Sequence, residues 1–223
     1  MNPGLADRLG SETRALHTAA ERSTFMQALL RGRLTRSAYR ALLCNLYALY
    51  ASLEPALERH AADPMIAPVY EPALWRTASL SHDLHALNAL SLADQPQPSP
   101  VALRYVLRLR HLEATEPGLL LAHAYVRYLG DLSGGQVLRR IVTDSAAIGA
   151  PGAVAFYDFG DMTRVRALAH AFRHGLASLK LPGPKADALV AEAALGFRLH
   201  RLLFDELAIS CGLAPTLVSN QPG

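Results

Sequence analysis

Hydrophobic residues recur along this chain at helical spacing. In the first segment, Leu5, Leu9 and Leu16 are separated by four and seven residues, which places them on one face of a helix. Thr35 is a typical N-cap for a long helix that reaches about His60. Further helices are predicted at 72–91, 99–115, 117–146, 161–180 and 184–210. No stretch of strand length alternates between polar and apolar residues, so we predict an all-α fold.

Glycine and proline residues separate these helical segments, and the stretch Asp94–Pro100 is the richest in proline. We find no internal repeat and no low-complexity segment, so the breaks are expected to be loops within one helix bundle. The predicted organisation is one helical domain at 1–210 and a flexible C-terminal tail at 211–223.

Composition and charge exclude several classes of protein. The 223 residues are 51% hydrophobic, which suffices for a sizeable core. The net charge is only +3 and the basic residues are scattered, so nucleic acid is not an expected partner. Cys44 and Cys211 fit neither a disulfide scaffold nor a zinc site, which favours a reducing cytoplasm. Neither a signal peptide nor an uncharged stretch of about 18 residues is present, so we expect a soluble protein without a membrane anchor.

The segment 121–140 combines a helical pattern with three glycines. Each glycine inside a helix costs about 0.5–1 kcal/mol relative to alanine. At helical spacing, Gly130, Asp131, Gly134 and Gly135 share one patch, in which Asp131 carries the only side chain. Such a patch lets the helix backbone approach something flat, and it weakens the helix so that it can kink.

Two other interpretations of this patch are close helix packing through glycine and nucleotide chemistry. The letters L-S-G-G-Q at 132–136 match the signature of ATP-binding-cassette ATPases. That signature acts together with a phosphate-binding loop that ends in Gly-Lys, and neither Lys180 nor Lys185 follows a glycine. The match to the ATPase signature is therefore a coincidence and does not indicate nucleotide binding.

A third interpretation comes from the longer run H-A-Y-V-R-Y-L-G-D-L-S-G-G-Q-V-L at 123–138. This run resembles the signature of the haem oxygenase family, with Val126 where animal members have threonine. Five other stretches are similar to the family in order and spacing: Ala15–Met26, Leu46–Glu54, Pro64–Tyr70, Thr115–Pro117 and Leu203–Leu207. The resemblance extends from about Leu5 to Leu207 and is to the soluble, bacterial type of the family.

The resemblance implies a bundle in which haem lies between a proximal helix and a kinked distal helix. It also implies a reaction in which haem b is both substrate and cofactor, and in which O2 cleaves it to biliverdin, carbon monoxide and free iron. Electrons are expected from a soluble donor, a ferredoxin or a flavoprotein reductase. Alternatives on the same architecture are a non-catalytic haem carrier or sensor, and a relative of the thiaminase-like or quinone-cofactor-oxidase proteins.

On the iron side, the residue of interest is His17. A histidine beside an apolar helix face is more often a packed residue than a ligand. The string L-H-T-A-A-E at 16–21, however, resembles the family's proximal site and implies that His17 binds the iron. Glu21, one turn later, is expected to orient the imidazole or to accept its second N–H. Two further histidine pairs have no third ligand and are predicted to be solvated: His82 with His85, and His170 with His174.

On the oxygen side, the resemblance assigns four residues to catalysis. Asp131 is expected to anchor a water molecule, and Arg127, one turn earlier, to keep its carboxylate ionised. Tyr50 is expected to extend this network, and the backbone at Gly130 to press on the bound oxygen. Tyr125 and Tyr128 are weaker candidates for the same network.

The remaining predicted residues contact the haem elsewhere. Those expected to line the site are Gly134, Gly135, Tyr125 and Phe197. Arg173 resembles a family arginine that binds the haem carboxylates, and Arg14 is a second candidate. The lysine that family members have nearby is Ala169 here. His200 stands where animal members have an asparagine near the oxygen-side water, and it either tunes that water or packs.

Overall fold

The computed structural model describes residues 4–87 and 97–213, and in these residues all regular structure is helical. The α-helices there are α1 (Leu5–Glu21), α2 (Thr24–Leu30), α3 (Arg36–Arg59), α4 (Thr77–Leu87), α5 (Pro100–Thr115), α6 (Leu120–Asp144), α7 (Met162–Ser178) and α8 (Gly183–Ser210). Short 3-10 helices lie at Ala67–Val69, Pro72–Leu74, Pro117–Leu119 and Ala155–Tyr157. The predicted all-α fold is confirmed.

Helices α3 and α5 have side-chain N-caps close to the positions that the sequence predicts. Thr35 accepts a hydrogen bond from the backbone N–H of Ala38 at 3.2 Å, and Ser99 accepts one from that of Ala102 at 3.2 Å. The helices α3, α5, α7 and α8 agree closely with their predicted ranges. The helix predicted at 117–146 is observed as a 3-10 turn followed by α6.

The prediction of a helix at 72–91 is wrong in its first turn. A 3-10 turn occupies Pro72–Leu74, and α4 begins only at Thr77. The carboxylate of Glu54, from α3, accepts the backbone N–H groups of Arg76 and Thr77 and so takes the place of a local cap. Residues 88–91 of the predicted helix lie outside the described residues, as do residues 214–223 of the predicted tail.

The three glycines of the signature segment do not break α6. Helical structure continues through Gly130, Gly134 and Gly135, and none of them adopts a positive φ. The glycines weaken the helix locally, but the residues on both sides form helix and maintain it. A bend at this point stays a prediction.

Helix α8 holds the site together, because it packs against both α1 and α6. On the other side of the bundle, α3 packs against α4 and α5. The largest fully buried side chains include Phe25, Tyr39, Tyr50 and Tyr105. In the part of the chain that the structure describes, no helix is both long enough and apolar enough to cross a lipid bilayer.

Candidate functional site

Two adjoining cavities lie between α1 and α6. Their volumes are about 310 Å³ and 460 Å³, and both are lined by His17, Val126, Gly130 and Phe197. Because they share these residues, we treat the two cavities as one space and call it the slot. Much of its inner wall is apolar, with Met26, Leu29, Leu42, Leu46, Phe156 and Phe204 among the lining residues.

His17 lies on the α1 side of the slot with its side chain 45% exposed. The ring of Phe197 meets the imidazole edge to face, with the centroids 5.5 Å apart. Glu21 places a carboxylate oxygen 3.6 Å from Nε2, which is within ion-pair reach but beyond a hydrogen bond. Phe197 therefore restrains the ring orientation, and the predicted hydrogen bond to Glu21 is not formed in this conformation.

The glycines on α6 face two directions. Gly130 and Gly134 line the slot, and a Cβ atom added to either would meet no other heavy atom within 4 Å. Gly135 is buried, and a Cβ there would lie 3.4 Å from the backbone oxygen of Tyr157. The helix-packing interpretation therefore fits Gly135, whereas Gly130 and Gly134 leave backbone open toward the slot. Helical spacing predicted one patch for these glycines, but they face two different surroundings.

Beside these glycines, Asp131 belongs to a buried network with Tyr50 and Arg127. The Tyr50 hydroxyl donates to one carboxylate oxygen of Asp131, and Arg127 Nη2 donates to the other at 2.6 Å. Arg127 Nε also donates to the Tyr50 oxygen at 3.1 Å. The sequence placed Arg127 one turn before Asp131, but only the fold brings Tyr50 from α3 to the same carboxylate.

Burial determines the electrostatics of this network. It raises the pKa of Asp131, while the charge of Arg127 and the hydrogen bond from Tyr50 oppose the rise. Burial also raises the pKa of Tyr50 well above 10, so the phenol stays protonated and is the donor. Burial by itself would lower the pKa of Arg127, but the charges of Asp131 and Tyr50 outweigh it and raise the pKa above its usual value. The network thus presents a fixed, charge-paired carboxylate to the slot.

The other two tyrosines lie apart from Asp131. Tyr128 is buried and lines neither cavity, and its hydroxyl donates to Glu54 at 3.4 Å. Tyr125 is half-buried and lines the larger cavity. Among the candidate tyrosines, only Tyr50 therefore bonds directly to Asp131.

Two arginines stand at the outer end of the slot. Arg14 and Arg173 are exposed and both line the larger cavity. Ala169 is half-buried and packs against the core. The cations that line this cavity are thus supplied by α1 and α7, and none comes from the position of Ala169.

His200 lies in the wall of the smaller cavity, on α8. It is only 2% exposed, and neither ring nitrogen has a hydrogen-bond partner among the residues that the structure describes. Burial lowers its pKa well below 6.5, and the charge of Arg127 acts in the same direction. The imidazole is therefore neutral, with one donor and one acceptor nitrogen.

Histidines in the two other pairs stand on exposed helix faces. His170 and His174 stack on α7 with centroids 6.3 Å apart, and His82 and His85 lie on α4. Within residues 4–87 and 97–213, no group of three or more metal-binding side chains is found.

Sequence reasoning missed most of the apolar wall. Met26 and Leu29 come from α2, and Phe156 and Tyr157 from the turn before α7. These side chains are of the types that fill ordinary protein cores, so no local signal distinguishes them from other core residues. Only the packing of α2 and of the 155–157 turn beside α6 identifies them.

Comparison with known proteins gives a consistent result. The family model described as "Heme oxygenase" matches residues 3–206. Heme oxygenase 1 of a Nostoc species is 36% identical over 207 residues, covering 93% of this chain and 87% of the relative. Human heme oxygenase 1 is 36% identical over 209 residues, covering 93% of this chain and 73% of the relative.

Solved structures agree with these relatives. The crystal structure of heme oxygenase-1 from Synechocystis in complex with heme has a TM-score of 0.87 and 33% identity, and covers 94% of each chain. Heme oxygenase-2 from Synechocystis in complex with heme and NO also has a TM-score of 0.87, with 37% identity and coverage of 94% of this chain and 87% of the other. The protein whose slot separates His17 from Asp131 therefore belongs to the haem oxygenase family.

Proposed function

We propose that this haem oxygenase binds haem in the slot between α1 and α6 and cleaves it oxidatively to biliverdin, carbon monoxide and free iron. One observation carries the proposal. The backbone at Gly130 and Gly134 is open toward a largely apolar slot that has His17 on one side and the buried carboxylate of Asp131 on the other. A flat, apolar ring with a metal at its centre fits this arrangement.

In the proposal, His17 would bind the haem iron. Its side chain lines the slot and is 45% exposed, so the imidazole is accessible to a ligand. A neutral histidine is a suitable ligand for this chemistry, whereas a thiolate would push electron density onto the iron and promote early O–O cleavage. Glu21 is near enough to pair with the imidazole when the ring is held by iron.

When bound, haem b supplies both the iron that takes up O2 and the ring that is opened. The chain supplies the polar environment on the opposite side. Asp131 holds a hydrogen-bonded water molecule in place, and Arg127 and Tyr50 keep its carboxylate in one orientation. The open backbone at Gly130 and Gly134 restricts the direction in which oxygen can point.

The outer part of the slot is proposed to hold the rest of the haem. Arg173 and Arg14 would pair with its two carboxylates, where exposure to solvent limits each pair to about 1 kcal/mol or less. Phe197 and Tyr125 would pack against the ring. Gly135, which packs against Tyr157, would support α6 behind the ring and would not touch it.

The electrons are proposed to come from a ferredoxin or a flavoprotein reductase, both soluble donors. A cytoplasmic location is part of the same proposal. It is supported by Cys44 and Cys211, which are not joined in a disulfide.

Titration of the purified protein with hemin tests the proposal. A shifted Soret band at one equivalent is expected, and a reductant in air should then convert the pigment to biliverdin with release of carbon monoxide. An unshifted band would reject haem binding. A stable oxygen complex that yields neither biliverdin nor carbon monoxide would favour the carrier or sensor alternative.

A further inference from the structure

The turn at Ala155–Tyr157, which precedes α7, forms part of the wall of the slot. The side chains of Phe156 and Tyr157 line the smaller cavity and are only 2% and 3% exposed. The ring of Phe156 also meets the ring of Tyr50 edge to face, with centroids 5.9 Å apart. Because Tyr50 donates to Asp131, the turn borders both the slot and the buried carboxylate network.

So short a turn supplies few hydrogen bonds of its own. Within it, the backbone N–H of Tyr157 donates to the carbonyl of Val154 at 3.1 Å, and that of Asp158 donates to the carbonyl of Ala155 at 3.0 Å. Its remaining backbone groups need partners from other segments, because buried N–H and carbonyl groups are nearly always paired. Those partners determine where the wall of the slot stands.

Asp83 of α4 holds the start of the turn. Its two carboxylate oxygens accept the backbone N–H groups of Ala155 and Phe156, each at 2.8 Å. The side chain is buried, and burial raises the pKa of Asp83, while the two N–H groups favour its ionised form. A carboxylate shielded from water binds such N–H groups more strongly than a neutral acceptor does.

Arg76, the residue before α4, holds the end of the turn. Its Nη1 donates to the carbonyl of Asp158 at 2.8 Å and lies 3.5 Å from that of Phe156. Nε and Nη2 donate to the carbonyls of residues 74 and 73, at 3.0 and 3.2 Å. The guanidinium carbon lies 3.9 Å from the centroid of the Phe159 ring. This one buried cation therefore ties two chain segments together through their backbone carbonyls.

The two charged residues, which we call the clamp, have no direct part in the slot. Neither Arg76 nor Asp83 lines either cavity. Removing charged groups from water is costly, so their burial beside the turn requires the close hydrogen bonds that they make there. On its other side the turn is stopped by α6, because the backbone oxygen of Tyr157 lies 3.4 Å from the position of a Cβ at Gly135. The position of the wall is thus fixed from both sides.

We propose that Arg76 and Asp83 are positioning residues that fix the wall at Phe156 and Tyr157 and thereby restrict how a haem ring can lie in the slot. This inference rests on the proposed function. The meso carbons of haem are not equivalent, so the orientation of the ring determines which biliverdin isomer is formed. The clamp acts on the isomer only through the wall, since neither of its residues touches the slot.

The first test is backbone amide exchange in the haem-free protein. Arg76→Met removes the guanidinium but leaves every N–H group of the turn in place. The amides of Tyr157 and Asp158, which bond within the turn, should then exchange about 10- to 100-fold faster, because hydrogen bonds from a charged group are lost. Arg139→Met is the matched control, because Arg139 pairs with the side chain of Asp158 at 3.2 Å but is 40% exposed. Unchanged exchange in the Arg76 variant would overturn the proposal.

Asp83→Asn tests the other half of the clamp and serves if Arg76→Met does not fold. It keeps the size of the side chain and one acceptor oxygen, but its amide nitrogen cannot accept an N–H. The amides of Tyr157 and Asp158, neither of which bonds to Asp83, should again exchange faster. Wild-type rates for both amides in this variant would contradict the role of Asp83.

The second test measures the proportions of the biliverdin isomers by chromatography after turnover with hemin. Arg76→Met should change the ratio of minor to major isomer about 2- to 10-fold, the effect of losing one net hydrogen bond on an equilibrium between two ring orientations. Arg139→Met should leave the ratio unchanged. Arg76→Lys separates position from charge, because lysine keeps the positive charge but lacks the planar fork that reaches several carbonyls. It should therefore resemble Arg76→Met.

Each pattern of results bears on the proposal. Faster exchange in the turn together with a changed isomer ratio supports it. Faster exchange with the wild-type ratio would show that the wall does not select the isomer, and the wild-type ratio in Arg76→Lys would show that charge alone is sufficient; either result would overturn the proposal. If the wild type forms no biliverdin, the proposed function fails, and amide exchange still decides whether Arg76 and Asp83 fix the turn.

Discussion

The protein restrains His17 and Asp131 very differently. The side chain of His17 is 45% exposed and is held by one ring contact with Phe197. Asp131 is buried and receives hydrogen bonds from Tyr50 and Arg127. The proposed iron ligand is therefore loosely held and can adjust to a ligand, whereas the carboxylate on the proposed oxygen side is fixed by its protein partners.

Replacing His17 should remove the proposed iron ligand with little effect on stability. His17→Ala is expected to lose the native Soret spectrum and turnover, and added imidazole should restore both, because the side chain is partly exposed and its removal leaves an opening. His174→Ala, which removes an exposed histidine on α7, is the control. An unchanged spectrum in the His17 variant would place the ligand elsewhere.

Replacing Asp131 should separate binding from chemistry. Asp131→Ala is expected to bind hemin normally and to form biliverdin about 100-fold more slowly or worse, because the carboxylate that positions the water is lost. Absorbance measurements during turnover give both quantities. Biliverdin formation at the wild-type rate would contradict the assigned role.

At the scale of elements, two glycines in different helices differ in the space available for a Cβ atom. Gly134 in α6 has open space where a Cβ would be. Gly175 in α7 lies directly against the backbone carbonyl of Pro68, so that a Cβ there would overlap it. The first glycine is unnecessary for packing, and the second is required by it.

Matched alanine variants test this difference by denaturant unfolding of the haem-free protein. Gly134→Ala should raise the free energy of unfolding by about 0.5–1 kcal/mol, because alanine favours helix, and should weaken hemin binding. Gly175→Ala should lower the free energy of unfolding by about 1–3 kcal/mol through overpacking. A destabilised Gly134 variant would instead indicate a packing role for that glycine.

At the scale of the whole molecule, a buried ion network ties three helices together. Glu192 on α8 binds His123 of α6 at 2.9 Å and Arg108 of α5 at 3.0 and 2.5 Å. Burial would raise the pKa of Glu192, but the hydrogen bonds from His123 and Arg108 outweigh it and lower the pKa to about 2. The unfolded chain should have the ordinary value of 4.5.

This difference predicts a dependence of stability on pH. Ionised Glu192 stabilises the fold fully above pH 4.5, and the stabilisation is lost as the pH falls from 4.5 to about 2. Since Arg108 is partly exposed and screened, we expect about 2 kcal/mol from this source. Glu192→Gln should therefore be less stable than the wild type at pH 7 and should approach it near pH 2. A difference in the free energy of unfolding between the wild type and the variant that is the same at all pH values would contradict the prediction.

Local sequence patterns were enough to predict the fold class and to identify the residues of the family signature. Helical periodicity and single-residue caps such as Thr35 act within one or two turns, so the ranges of α3, α5, α7 and α8 could be predicted closely. The run at 123–138 resembles the family signature, and this resemblance requires no structural information. Arg127 and Asp131 could be paired for the same reason, because they are one helical turn apart.

Which of these residues are in contact depends on how distant segments of the chain pack together. Tyr50 bonds to Asp131, and Glu54 caps the start of α4, across long sequence separations that no local pattern encodes. Gly135 packs against Tyr157 while Gly134 faces the slot, although helical spacing alone grouped them. Among the described residues, neither nitrogen of His200 makes a hydrogen bond, and the hydroxyl of the adjacent Tyr105 is engaged with His123. Such contacts depend on the packing of several helices at once, and this is why they become visible only in the folded molecule.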